Sequence, residues 1–140
     1  MYVDSSVLTK FFVVEPDTEA CAAKVAGGFI VSSELAYGEL FSALLRKERA
    51  GTISREDREV SWAQFGQRIA QRSLWLAKLD GAVVKRAQEV MLALHPKVPL
   101  RTLDAIHLAT CLSVVAGPLF TTDRRMREAA GLLGIPQVDF

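Results

Sequence analysis

Short apolar runs alternate along this chain with longer stretches in which apolar residues return at helical spacing. Met1 to Val3 is apolar and closes on Asp4. Ser5 and Ser6 then offer an N-cap for a helical stripe of Val7, Leu8, Phe11 and Phe12, ended by Glu15, Pro16 and Asp17. Thr18 to Ala26 reads as a second helix with an alanine-rich face, broken at Gly27 and Gly28. Phe29 to Val31 forms a second strand, with Ser32 and Ser33 as the next caps. From Glu34 to Arg49, the residues Leu35, Leu40, Phe41, Leu44 and Leu45 predict a helix that Gly51 stops. Ser54 and Asp57 have capping-box spacing ahead of a helix carrying Val60, Trp62, Phe65 and Ile69.

Leu74 to Leu79 predicts a short strand, and Asp80 caps a helix through Val83, Val84, Ala87, Val90, Met91 and Leu94. His95 to Pro99 is a loop. In Arg101 to Leu112 the residues Leu103, Ile106, Leu108, Ala109 and Leu112 recur at helical spacing. Thr102 as N-cap puts Asp104 in the first turn, and Gly117-Pro118 ends the helix. Leu119 to Thr121 is a strand, Asp123 turns into a helix from Arg125 to Leu133, and Ile135 to Val138 reads as a final edge strand. Strands separated by helices of about 10 or more residues imply parallel pairing with right-handed crossovers, hence an α/β fold. In such sheets ligand sites gather at the carboxyl ends of the strands. With 140 residues and no repeat or linker, the chain is expected to form a single domain over residues 1–140.

Composition narrows the function without naming it. Half the residues are hydrophobic, 24% are charged and the formal net charge is +1, so any nucleic-acid role must rest on a local site. Cys21 and Cys111 lie in apolar helical contexts without CxxC spacing. They read as buried thiols in a reducing compartment, with a single disulfide left open. The opening MYVDSSVLTK lacks the basic and apolar regions of a signal peptide. Leu108 to Phe120 is interrupted by Thr110, Ser113, Gly117 and Pro118, and falls short of the about 20 apolar residues a membrane span needs. A cytoplasmic protein with no membrane partner is expected.

The chemistry rests on four separated carboxylates: Asp4, Glu39, Asp104 and Asp123. Each has a structural alternative. Asp4 and Asp123 can cap helices, Asp104 can serve as a first-turn charge on the helix dipole, and a mid-helix Glu39 is ordinarily exposed. Glu34, nearby, is better explained by the dipole. Yet Asp4 and Asp123 each sit just past a strand's carboxyl end, and the helices bearing Asp104 and Glu39 can lean over that same edge. Carboxylates brought together repel unless protons or cations offset them. Hard divalent cations such as Mg²⁺ or Mn²⁺ prefer oxygen ligands, and can activate water and stabilise a pentacovalent phosphate. The chain has no Walker loop, GxGxxG, GxSxG or HExxH. A metal-dependent phosphodiesterase is the economical reading.

At these residues the chain resembles a known family. YVDSSVLTKFF, SELAYGELFSALLR, LDAIHLATCL and FTTDRRMREAAGLLGIPQV, in this order and from end to end, resemble the PIN-domain ribonucleases. The resemblance is strongest to the VapC-like toxins of bacterial toxin–antitoxin pairs. It implies a PIN-like three-layer sandwich, a central parallel sheet flanked by helices. It implies that Asp4, Glu39, Asp104 and Asp123 form an acidic quartet that holds Mg²⁺ or Mn²⁺ and activates water to cleave RNA, with Ser6 and Thr121 in support. It further implies a homodimer, a cognate VapB-like antitoxin and a structured RNA substrate.

The remaining polar and aromatic residues have plainer readings. His107 lies three residues after Asp104, without further ligands at zinc spacing, and reads as a hydrogen-bonded core or near-site histidine. Arg124 and Arg125, beside Asp123, are placed to meet RNA phosphates. The basic residues from Arg46 to Arg72 read as a solvated helical hairpin, with an RNA-backbone track as the alternative. Trp62 and Phe65 read as core or dimer-interface anchors. Two other functions stand beside the toxin. One is a non-catalytic RNA- or protein-binding module with the same fold, and the other a PIN nuclease in RNA processing outside any toxin system.

Overall fold

Four short parallel strands organise the molecule, a computed structural model that describes residues 1–114 and 117–140. They are β1 (Tyr2–Val3), β2 (Ile30–Ser33), β3 (Leu74–Ala77) and β4 (Leu119–Phe120), in the order β3-β2-β1-β4. The register pairs Tyr2 with Leu119 and Val3 with Phe120 on one side of β1, and Tyr2 with Val31 on the other. The helices are α1 (Ser5–Thr9), α2 (Thr18–Val25), α3 (Ala36–Arg49), α4 (Arg55–Ala70), α5 (Gly81–Leu94), α6 (Thr102–Ser113) and α7 (Arg124–Leu132).

Successive strand side chains point to opposite faces, so Tyr2 and Val3 enter different cores. Tyr2 and Val31 pack with α5, α6 and α7, through Ala87, Val90, Leu108, Ala109 and Met126. Val3, Ile30, Leu74 and Phe120 pack on the other face with α1 to α4, through Leu8, Cys21, Leu40, Leu44 and Phe65. Helices thus cover both faces of the sheet, which is why β1, β2 and β4 are buried at every position. The edge strand β3 leaves Trp75 half exposed. The expected α/β three-layer sandwich with a central parallel sheet is the observed architecture.

Capping follows the local chemistry. Ser54 and Asp57 form a full capping box at α4, and Asp80 accepts from the Ala82 and Val83 amides at α5. Gly134, at φ +68°, takes the left-handed conformation that terminates α7. Cys21 and Cys111 are both buried and free. Among the described residues no helix is long and apolar enough to cross a membrane.

Several boundaries differ from the periodicity. Helix α1 stops at Thr9, and the chain continues in tight turns in which the Lys10, Phe11 and Phe12 amides reach Val7, Leu8 and Thr9. This turns Phe12 edge-on to Phe65, with ring centroids 5.6 Å apart. Helix α3 starts at Ala36, so Glu34 is not a first-turn charge. Its amide donates to the Ala77 carbonyl and its Oε2 accepts from Leu79 N at 2.8 Å, extending the contact of β2 with β3. Arg101, not Thr102, occupies the N-cap of α6, and Asp104 stays in the first turn. That helix ends at Ser113, ahead of Gly117-Pro118, and positions 115 and 116 lie outside the described residues. Ile135 to Val138 forms no strand, only a bridge from Gln137 to Leu119. Pro136 has no amide hydrogen to give to a ladder, and it contributes only its carbonyl, to Leu119 N.

The basic stretch from Arg46 to Arg72 does form a helical hairpin of α3 and α4, and much of its charge is used internally. Arg58 pairs with Glu48, Arg55 with Glu59, and Arg68 lies over the rings of Phe11 and Phe12. Phe65 is a core residue and Trp62 is partly buried against it.

Candidate active site

In a parallel sheet every strand ends at the same edge, and the chain leaves β1 there through Asp4. This carboxylate is 3% exposed and caps α1, its Oδ1 accepting from Val7 N at 3.1 Å. Ser6 Oγ lies 2.7 and 2.9 Å from its two oxygens, and Thr121 Oγ1 donates to Oδ2 at 2.6 Å. Burial pushes the Asp4 carboxyl above its ordinary value, and the Thr121 and Ser6 bonds and the His107 charge offset only part of that.

Glu39 reaches the same edge from α3. Its Oε2 accepts from the Ser5 hydroxyl and from His107 Nε2, the latter at 2.8 Å. Burial pushes Glu39 up, but the His107 bond and charge, with Ser5, overcome it and hold the carboxyl below the usual range. The sequence assigned Ser5 only to capping. Nothing in its spacing reveals that its hydroxyl crosses to a residue on α3.

Asp104 projects from the first turn of α6. Its Oδ2 is buried without a hydrogen-bond partner, and Arg101 Nε stands 3.7 Å away on a side chain 69% exposed. Burial raises the Asp104 carboxyl and the negative charge of Asp123 adds to it, against the opposing charges of Arg101 and Arg125. Asp123 caps α7, its Oδ1 accepting from Arg125 N at 2.8 Å and Met126 N at 3.0 Å. Its own amide donates to Thr121 Oγ1 at 3.1 Å. Thr121 therefore joins Asp4 to Asp123 through one hydroxyl.

Two clefts open beside these carboxylates. One, of about 710 Å³, is lined by Ser5, Ser6 and Glu39 together with Lys10, Arg46 and Arg101. The other, of about 700 Å³, is lined by Thr122, Asp123, Arg124 and Arg125. Ser6 Oγ and Thr122 Oγ1, 3.2 Å apart, connect the two walls. Lys10 and Arg101 were not singled out by their sequence context, whereas Arg46 opens the basic stretch whose alternative reading was an RNA-backbone track. Of these, Lys10 is already paired with Glu15 and Asp17.

The donor set is all oxygen and carries one orphaned buried acceptor, Asp104 Oδ2, which suits a hard divalent cation. It does not suit zinc, since both ring nitrogens of His107 are engaged, Nδ1 with the Tyr2 hydroxyl and Nε2 with Glu39. Among the described residues no three of His, Cys, Asp and Glu stand at metal-holding spacing. The carboxylates surround the strand ends without closing on one point. Mg²⁺ commonly keeps several waters and few direct carboxylates, which such an open arrangement accommodates.

Residues 1–132 match the PIN domain family. The chain is also similar to Ribonuclease VapC46 of Mycobacterium tuberculosis (strain ATCC 25618 / H37Rv), with 39% identity over 138 residues, covering 96% of this chain and 93% of that protein. A match across nearly the whole length leaves neither the sheet nor any of the four carboxylates outside it. This parallel three-layer fold, with its acidic residues at the strand ends, belongs to the PIN domain family and to its VapC-like members.

Proposed function

We propose that the protein is a divalent-metal-dependent endoribonuclease that acts as the toxin of a toxin–antitoxin pair. The observation that carries this reading is Asp104 Oδ2, a buried carboxylate oxygen without a hydrogen-bond partner, beside a second acid, Asp123, and with the exposed Arg101 Nε 3.7 Å away. A buried charge in that state calls for a cation. The likeness to a protein named a ribonuclease supports RNA as the substrate.

In this reading Asp4, Glu39, Asp104 and Asp123 hold Mg²⁺ or Mn²⁺. When bound, such a cation lowers the pKa of a water and offsets charge on the phosphate. Hydrolysis joins the water oxygen to phosphorus and breaks one P–O ester bond of the RNA backbone. Ser6 and Thr121 fix Asp4, and Ser5 and His107 fix Glu39, so the carboxylates are held before substrate arrives. Arg124 and Arg125, on the wall of the second cleft, offer cations to RNA phosphates. The protein works in the cytoplasm as a homodimer, and a cognate VapB-like antitoxin blocks the site.

A second reading, a non-catalytic RNA- or protein-binding module, has one observation in its favour: the described acids do not stand at metal-holding spacing. One experiment separates the two. Purified, antitoxin-free protein is incubated with total cellular RNA and Mn²⁺ or Mg²⁺, then with EDTA, beside Asp104→Asn. Metal-dependent cutting that EDTA and the variant both abolish is the expected result. Full activity in the variant overturns the site, and binding without cutting selects the second reading. Cutting by a protein whose gene has no small antitoxin gene beside it would retain the nuclease and move it to RNA processing.

A further inference from the structure

The Tyr2 hydroxyl, the His107 imidazole and the Glu39 carboxylate form a hydrogen-bonded line that runs from the sheet interior to the cleft. Tyr2 Oη lies 2.8 Å from Nδ1, and Nε2 lies 2.8 Å from Glu39 Oε2. The three residues come from β1, α6 and α3, and the two contacts span 105 and 68 positions of sequence. Tyr2 and His107 are 0% and 2% exposed, so neither can meet RNA directly.

The Glu39 partner fixes the proton on one side of the ring. An ionised carboxylate only accepts, so Nε2 of His107 carries the hydrogen that goes to Glu39. On the far side of the ring the Tyr2 hydroxyl engages Nδ1 at 2.8 Å, so both ring nitrogens are tied to side chains. Tyr2 thereby tethers the ring from behind, and its edge-on contact with the imidazole, with centroids 6.0 Å apart, fixes the plane. Ser5 adds a second donor to the same Oε2, and its hydroxyl also lies 3.0 Å from Nε2. Oε2 is consequently saturated from behind.

We infer that His107, oriented by Tyr2, is a positioning residue that holds Glu39 by Oε2 so that its other oxygen serves a divalent cation at the strand ends. The inference rests on the metal-dependent reading above. It assigns to a core histidine and a core tyrosine a role in metal affinity, exerted wholly through Glu39. Partners of this kind behind metal ligands typically change affinity or activity by about 10- to 100-fold when removed.

The test measures Mn²⁺ binding to metal-free protein from the EPR signal of the free ion, together with RNA cleavage as a function of Mn²⁺ and the thermal midpoint. His107→Asn keeps a polar group near Tyr2 and withdraws the donor from Glu39. It is expected to weaken Mn²⁺ binding about 10-fold or more, with cleavage largely restored at saturating Mn²⁺. His107→Gln places an amide N–H near the Nε2 position and is expected to recover most of the affinity. Tyr2→Phe removes one hydroxyl and should shift affinity in the same direction by less, which keeps the test sound if His107→Asn fails to fold. A purely structural role would lower the thermal midpoint in all three and leave Mn²⁺ affinity unchanged, and that result overturns the inference. Glu39→Gln is the control. Wild-type protein that binds Mn²⁺ and cuts RNA, with His107→Asn and Tyr2→Phe unaltered in affinity, defeats the positioning role alone. Wild-type protein that neither binds Mn²⁺ nor cuts RNA defeats the metal-dependent reading, and the positioning role with it.

Discussion

Thr121 Oγ1 donates to Asp4 Oδ2 at 2.6 Å, across 117 positions of sequence, and Thr121 Oγ1 itself accepts from the Asp123 amide at 3.1 Å. The contact is possible because β4 pairs with β1 in the register Val3 to Phe120, which brings the residues just beyond each strand side by side. One buried hydroxyl thus bonds the Asp4 carboxylate and the backbone of Asp123. Thr121→Val keeps the shape and deletes the donor. The loss of a bond to a buried carboxylate is expected to cost about 2 kcal/mol by urea denaturation, with cleavage reduced, while Thr121→Ser retains most of both. Equal stability and activity in Thr121→Val would remove Thr121 from the site.

Asp104 is expected to behave oppositely in stability and in function. Its carboxyl is raised, first by burial and then by Asp123, so the ionised form is held at a cost at neutral pH. Asp104→Asn should abolish cleavage and raise the thermal midpoint of the metal-free protein by about 3 °C, equivalent to about 1 kcal/mol. A lower midpoint would mean that the Arg101 charge and the helix dipole outweigh burial.

Arg124 and Arg125 border Asp123 in the second cleft, and their backbones are fixed by the α7 cap whatever side chain they carry. With Asp104→Asn as an inactive background, Arg125→Ala should weaken RNA binding in proportion for different sequences. The slope of log affinity against log salt should fall by about 1. An unchanged slope would exclude a phosphate contact.

Acid sensitivity is expected from Glu15, which joins Lys10 after α1 to Lys47 on α3, each at 3.0 Å. Burial raises its carboxyl, but the Lys47 and Lys10 bonds prevail and hold it below the ordinary value of 4.5. The folded state therefore releases this proton more readily than the unfolded chain. The stabilisation is fully present above about pH 4.5 and is lost as pH falls through the lowered value. Glu15→Gln should cost about 1 kcal/mol at pH 7, discounted for partial exposure, and flatten the acid limb of a stability–pH curve. An acid limb identical to wild type would show that other carboxylates set it.

Much of the framework was legible from local chemistry. The runs at β1, β2, β3 and β4, the capping box of Ser54 and Asp57, and the caps at Asp80 and Asp123 depend on residues within a few positions of one another. Asp4 and Asp123 were legible as strand-end acids for the same reason. Boundaries failed where a distant partner competed with local propensity. Glu34 fits a helical first turn until the Leu79 amide claims its side chain, and Ile135 to Val138 has strand composition but a proline where a donor was needed.

The sequence by itself determined the α/β alternation, the single run of elements and which acids would fall at strand ends, because hydrophobic period and capping are short-range and parallel strands end at one edge. Only the tertiary structure decided what those acids meet. The order β3-β2-β1-β4 brings Thr121 to Asp4, and the packing of α6 and α3 over β1 brings His107 between Tyr2 and Glu39. The same packing leaves Asp104 Oδ2 with no hydrogen-bond partner. Hydrogen bonds that span 68 to 117 positions have no local signature, because loop closure and core packing, rather than neighbouring residues, set which groups meet.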